Sequence, residues 1–213
     1  MSHPKVVLLV LPFYFLNCNT GSENDIVKYD SMIVKDNQES IVIMLNKPAG
    51  YITSMKDPMN RKIVSDLINI KERVFPIGRL DKDTTGLLLF TNQGDLALKL
   101  SHPRFNIPKI YTSTIDRPFL NWEKQKINKK VYIGQKEWGR AEVLDQKKIN
   151  GKVMVKLKLE QGKKREIRRI MYRMKRSLYF LKRIEFGPCK LGKLKEGQWR
   201  FLQKDEILEL NNL

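Results

Sequence analysis

Gly78-Arg79-Leu80-Asp81-Lys82-Asp83-Thr84-Thr85-Gly86-Leu87-Leu88-Leu89-Phe90-Thr91-Asn92 is the stretch on which the fold turns. Its second half, Gly86 to Thr91, is a continuous apolar run closed by the turn residues Asn92-Gln93-Gly94-Asp95, the pattern of a strand buried on both faces. Val74 to Ile77 is a shorter run of the same kind, so Asp81 falls in a loop between two strands with Arg79 and Lys82 beside it. Cationic neighbours favour a charged carboxylate at the sheet edge, where it can act as nucleophile or base. A loop Asp more often caps a turn or pairs with a nearby Arg, so the loop alone does not make a site.

Outward from this loop, Ile41 to Leu45 reads as another buried strand, stopped by Lys47-Pro48-Ala49-Gly50. Arg61 to Ile70 places Ile63, Val64, Leu67 and Ile68 on one helical face, and Asp95 is placed to cap a short helix through Leu100. Strands follow at Lys109 to Ile115, Arg140 to Leu144 and Val153 to Leu159, with a helix from Asn121 to Lys130 between them. Gly162 ends the last strand, and Lys163 to Met174 forms an amphipathic helix with Ile167, Ile170, Met171 and Met174 inward and a basic outer side. Leu178 to Phe186 and Trp199 to Leu202 close the pattern as strands. Runs of strands interrupted by isolated helices give an α+β fold with a mainly antiparallel, mixed sheet and flanking helices.

The chain has 213 residues, 41% of them hydrophobic, enough for an ordinary core. Its 41 Lys and Arg against 23 Asp and Glu give a net charge of +18, which points to a polyanion as partner. Lysine enrichment alone has bland causes; the gathering of Arg165, Arg168, Arg169, Arg173 and Arg176 in one segment does not. Two distant cysteines, Cys18 and Cys189, form neither a disulfide framework nor a metal signature and fit a reducing cytoplasm. With only His3 and His102, zinc chemistry and histidine-based triads have little to work with, leaving acid–base work to carboxylates, Tyr, Lys or Arg.

Val6 to Leu16 is apolar but too short to span a bilayer, and no small-residue cleavage pattern follows it. The expected organisation is an atypical leader over residues 1–24, a remnant and linker over 25–38, and the main domain over 39–213.

The stretch from Gly78 resembles the Gly-Arg-Leu-Asp-x-x-Thr-x-Gly-Leu-Leu-Leu-x-Thr-Asn signature of bacterial ribosomal RNA pseudouridine synthases of the RsuA type. Other parts of that family's pattern occur in order: Asn46-Lys47-Pro48-Ala49-Gly50, Asp57-Pro58 with Arg61, Lys109-Ile110-Tyr111, and Glu160 to Ile170. Three positions depart from it: Asn60 stands where Gly is usual, Gln161 is inserted before the family's small turn pattern or substitutes within it, and Glu166 stands where Gln is commoner. The resemblance implies Asp81 as catalytic carboxylate, Tyr111 under the target base, and Arg168 paired with Asp81 through a bidentate contact. Arg79, Lys47, Arg61, Lys109, Arg165, Arg169 and Arg173 are expected to bind RNA.

The same resemblance implies isomerisation of a uridine in ribosomal RNA, with a lean toward the large subunit, by a monomer that needs no cofactor or metal and acts in the cytoplasm without a membrane. Residues 25–38 would hold the last strand of the small RNA-binding domain that usually precedes the catalytic domain. Two rival classes follow from the charge alone. A non-catalytic RNA-binding or ribosome assembly factor would not need the Asp81, Tyr111 and Arg168 set, and a metal-dependent nuclease would need more acidic ligands than Asp81 and Asp83.

Overall fold

The computed structural model describes residues 40–213 throughout and, before them, three short strands, β1 (Val6–Leu8), β2 (Ile26–Tyr29) and β3 (Met32–Val34). The chain divides into two units, Met1–Glu39 and Ser40–Leu213. In the first, β2 pairs in parallel with β1 and antiparallel with β3. The stretch read as a leader thus supplies one strand; the rest of residues 1–24 and the linker lie outside the described residues.

The second unit contains β4 (Val42–Lys47), β5 (Phe75–Ile77), β6 (Thr85–Thr91), α1 (Gly94–Ser101), β7 (Lys109–Ile115), α2 (Asn121–Lys129), β8 (Val131–Gly134), β9 (Glu137–Gly139), β10 (Glu142–Ile149), β11 (Lys152–Leu159), α3 (Glu166–Arg173), β12 (Leu178–Phe186), β13 (Cys189–Lys190), β14 (Trp199–Phe201) and α4 (Lys204–Asn211). The main sheet runs β10-β11-β7-β12-β6-β4-β14, with β5 on β6 and β13 on β12. Its pairs are antiparallel except at β6–β12, where Thr85 faces Lys182 and Gly86 faces Arg183. This is the α+β mixed sheet with flanking helices that the sequence pattern predicts.

Central position explains the apolar runs: every residue of β4 and β6 is buried. Their side chains alternate between two cores. Ile43, Leu45, Leu88 and Phe90 join Ile167, Ile170 and Met171 of α3, while Val42, Met44, Leu87 and Leu89 meet Leu96 and Leu100 of α1 and Leu210 of α4. Strand β11 buries Val153, Val155, Leu157 and Leu159 and turns Lys152 and Met154 to solvent, the pattern of a sheet covered on one face.

Three local expectations are corrected. Arg61 to Ile70 forms a single 3-10 turn, Val64–Leu67, because the Val64 N–H bonds the Ile52 carbonyl at 3.0 Å and holds Ile63 extended beside Ile52. Asp95 sits in the first turn of α1 but makes no capping bond. Helix α3 begins at Glu166 instead of Lys163, because Arg165 adopts a left-handed φ of 53° that closes the preceding loop. Among the described residues no helix is long and apolar enough to cross a membrane.

Cys189 in β13 is 1% exposed, and burial pushes its thiol up to about 12. Since only the thiolate is nucleophilic, iodoacetamide at pH 8 is expected to leave Cys189 unmodified in the folded protein and alkylate it in urea, read by peptide mass. Rapid modification under native conditions would contradict this packing.

Candidate active site

The loop bearing Asp81 is clamped through its backbone, which leaves the acidic side chain free to project. The Thr53 hydroxyl donates to the Leu80 carbonyl at 2.8 Å and accepts from the Leu80 N–H at 3.1 Å. Lys47, at the end of β4, donates from Nζ to the carbonyls of Pro48, Lys82 and Thr84 at 3.0, 3.1 and 2.9 Å. Its side chain is fully buried, and burial pulls its ammonium down to about 8 against the opposing pull of Asp83 and Asp81. Lys47 is therefore an internal strut and not a surface contact for RNA, because three main-chain carbonyls take up the three donors of its ammonium.

Arg168 approaches from α3, its Nε 3.5 Å from Asp81 Oδ2, while its Nη2 donates to the Thr84 hydroxyl at 3.2 Å. The expected bidentate contact is not made: Arg168 approaches Asp81 as an ion pair without a hydrogen bond, one arm of its guanidinium being spent on Thr84. That buried Nε has no hydrogen-bond partner, an arrangement with room to tighten when a substrate excludes water. Tyr111, in β7 and 8% exposed, lines the same cavity of about 570 Å³, with Leu80, Leu159 and Leu181 as apolar walls. Arg79 and Arg165 lie on its lining as well. The volume falls in the range of small-ligand sites and suits a single nucleoside.

The other predicted RNA contacts fall elsewhere. Lys109 is buried, donating to the carbonyls of Ile107 and Glu160 at 2.9 and 3.4 Å, and burial lowers its ammonium to about 8. Arg169 is spent on Glu137 and on the carbonyls of Ile133 and Gly134, at 2.5, 3.0 and 2.7 Å, tying the β8–β9 hairpin to α3. Both are structural, because internal acceptors consume their donors. Arg61 is exposed and paired with Asp57, whose carboxyl its hydrogen bonds pull down to about 2. Arg173 is exposed and lies over the Tyr132 ring at 5.4 Å.

The departures at Asn60 and Glu166 are absorbed. Asn60 takes a left-handed φ of 52°, a conformation Asn tolerates better than most residues, so the turn survives. Glu166 is 3% exposed and accepts the N–H groups of Arg140, Gly162 and Lys163 at 3.0, 3.0 and 2.8 Å. A carboxylate, acceptor on every lone pair, suits three donors better than an amide does. Residues that sequence reasoning passed over include Thr53, Thr84 and the buried Arg183, whose Nε donates to the Leu87 carbonyl at 2.8 Å. Thr84 stands at the Thr of the quoted signature, which gives it no role; only their contacts reveal Thr53 and Arg183.

The fold has a solved counterpart: a pseudouridylate synthase crystal structure superposes with a TM-score of 0.72 over 90% of this chain and 82% of that one, at 24% identity. The sequence pattern of the RNA pseudouridylate synthase family matches residues 41–172. An uncharacterised RNA pseudouridine synthase of Aquifex aeolicus is 35% identical over 201 residues, 92% of this chain and 79% of that protein. Ribosomal large subunit pseudouridine synthase B of Bacillus subtilis is 33% identical over 181 residues, covering 84% and 74%. The dual-specificity RNA pseudouridine synthase RluF of Escherichia coli K12 is 31% identical over 191 residues, covering 89% and 64%. The chain belongs to the RNA pseudouridylate synthase family and is an RNA pseudouridine synthase.

Proposed function

We propose that this enzyme converts a uridine of large-subunit ribosomal RNA to pseudouridine in the cavity between Asp81, Arg168 and Tyr111. The observation that carries the reading is the Asp81 carboxylate 3.5 Å from Arg168, on the wall of a nucleoside-sized cavity that also contains Tyr111. The Bacillus subtilis relative, named for the large ribosomal subunit, supports the choice of RNA. In this reading the enzyme works as a monomer in the cytoplasm, where ribosomes are assembled.

The reaction breaks the N1–C1′ bond, turns the uracil within the cavity and forms C5–C1′; the proton lost from C5 is balanced by one gained at N1. Asp81 supplies the anion that starts this sequence, by adding to ribose or base or by taking a sugar proton. Arg168 holds Asp81 in place from one side while Thr84 fixes Arg168 from the other. Tyr111 lies against the base, and the apolar walls keep the detached uracil from leaving while it turns. A base reached in this way must be withdrawn from its stack, which leaves Arg79 and Arg165 to hold phosphates at the cavity.

Pseudouridine maps of ribosomal RNA from cells with and without the gene test this reading. Loss of at least one large-subunit site on deletion, restored by the purified enzyme in the presence of EDTA, is the expected result. Unchanged maps, or restoration only with magnesium, would overturn it.

A further inference from the structure

Some arginines of this domain are spent on internal partners and others are not. Arg61, Arg169, Arg176 and Arg200 are spent on carboxylates, and Arg183 on a main-chain carbonyl. Arg79, Arg104, Arg140 and Arg165 are exposed, and their side chains donate no hydrogen bond among the described residues. All four line one string of hollows. The active-site cavity, with Arg79 and Arg165, shares Gly162 and Lys163 with a second hollow of about 420 Å³ that contains Arg104. That hollow shares Asn106 and Gln161 with a third, of about 170 Å³, that contains Arg140.

We propose that this groove binds the unpaired RNA nucleotides flanking the target uridine, leading the strand from the Asp81 cavity past Arg104, Asn106 and Gln161 to Arg140. This rests on the reading of the cavity as the uridine pocket. Three features of the groove match single-stranded RNA. Its guanidinium groups make no ion pair or hydrogen bond among the described residues, so phosphate binding costs no internal ion pair. Arg104, which lines the second hollow, is held over the Phe105 ring at 4.5 Å, so its guanidinium plane offers a surface of the kind on which an unpaired base stacks. Asn106 and Gln161 offer both donors and acceptors to base edges, which are accessible only where the RNA is unpaired.

The platform is also preformed. The Arg104 N–H donates to His102 Nδ1 at 3.2 Å, the Phe105 N–H to the His102 carbonyl at 3.2 Å, and the Asn106 N–H to the Pro103 carbonyl at 3.1 Å. These bonds close residues 102–106 into a folded turn with Asn106 at a left-handed φ of 50°, so little ordering remains when RNA arrives. Glu166 holds the opposite wall, gripping the N–H groups of Arg140, Gly162 and Lys163.

The test compares the wild type, Arg104→Ala/Arg140→Ala and the charge-matched control Lys190→Ala/Lys204→Ala, whose lysines lie outside the groove. Filter binding to a transcribed large-subunit ribosomal RNA between about 50 and 200 mM salt gives affinity and salt slope. The groove variant is expected to bind at least roughly tenfold more weakly, two charged contacts being lost. Its log–log salt slope should be shallower by about 1.4, about 0.7 for each phosphate contact to a single strand. In turnover, KM rises with affinity lost while kcat stays within about twofold, the signature of binding made equally in ground and transition states. Groove-variant binding that matches the control overturns the proposal. If the wild type forms no pseudouridine, the functional reading falls while the binding comparison still decides the groove.

Discussion

Asp81→Asn is expected to lower pseudouridine formation by roughly 10²- to 10⁴-fold, the range for removing a group that takes part in the bond-making step. The substitution keeps the side chain's shape and removes the charge, and the loop stays in place because its anchors are main-chain atoms. Thr53 holds Leu80, and Lys47 holds Lys82 and Thr84, without using the Asp81 carboxylate. Melting temperature and RNA affinity should therefore change little while turnover collapses. Arg168→Met should also be severely impaired, through loss of the 3.5 Å contact that positions Asp81. If Arg168 acts through Asp81, the double variant is barely worse than Asp81→Asn alone. The readout is pseudouridine content of ribosomal RNA treated with each purified variant; wild-type conversion by Asp81→Asn would remove Asp81 from the chemistry.

Gly86→Ala is expected to be the most damaging single change to stability near the site. Gly86 has φ +101°, and an added Cβ would stand 2.1 Å from the Arg183 carbonyl oxygen and 2.8 Å from its nitrogen. Both neighbours are backbone and belong to the β6–β12 pairing, so neither can turn aside. Left-handed strain and overpacking together come to about 3 kcal/mol or more. For a domain of this size that lowers Tm by about 6–12 °C, and insoluble expression is the extreme form of the same result. Gly50→Ala is the matched comparison: its φ is +87°, but an added Cβ meets nothing within 4 Å, so it carries the strain without the clash. Equal losses at the two positions would show that the close approach of β6 and β12 is not the cause.

Sequence legibility followed burial. Strands β4 and β6 could be read because burial on both faces demands unbroken apolar runs, and β11 because a half-covered strand must alternate. The β8–β9 hairpin escaped notice, since its turn places Gln135 and Lys136 at φ 53° and 58°, where Asn-Gly or Asp-Gly is the usual signal. The Arg61–Ile70 helix was misread because a tertiary bond to Ile52 took the Val64 amide, which no local pattern records. At the site, Asp81 and Arg168 lie in distant parts of the chain, and only the family resemblance placed them together. Lys47, Lys109 and Arg169 were expected at RNA from motif position and net charge, whereas a basic side chain's type does not say whether it turns outward or finds carbonyls within.

The parallel β6–β12 pairing has a consequence for what activity reports. Asp81 hangs from the loop entering β6, on one side of that seam; Tyr111 in β7 and Arg168 in α3, inserted between β11 and β12, come from the other. Two residue pairs of the ladder join the halves there, and the residues proposed to act on the uridine are split across them. A molecule with the seam parted keeps every one of these residues and yet has no site. Turnover is thus an all-or-none gauge of whether the two half-sheets are joined.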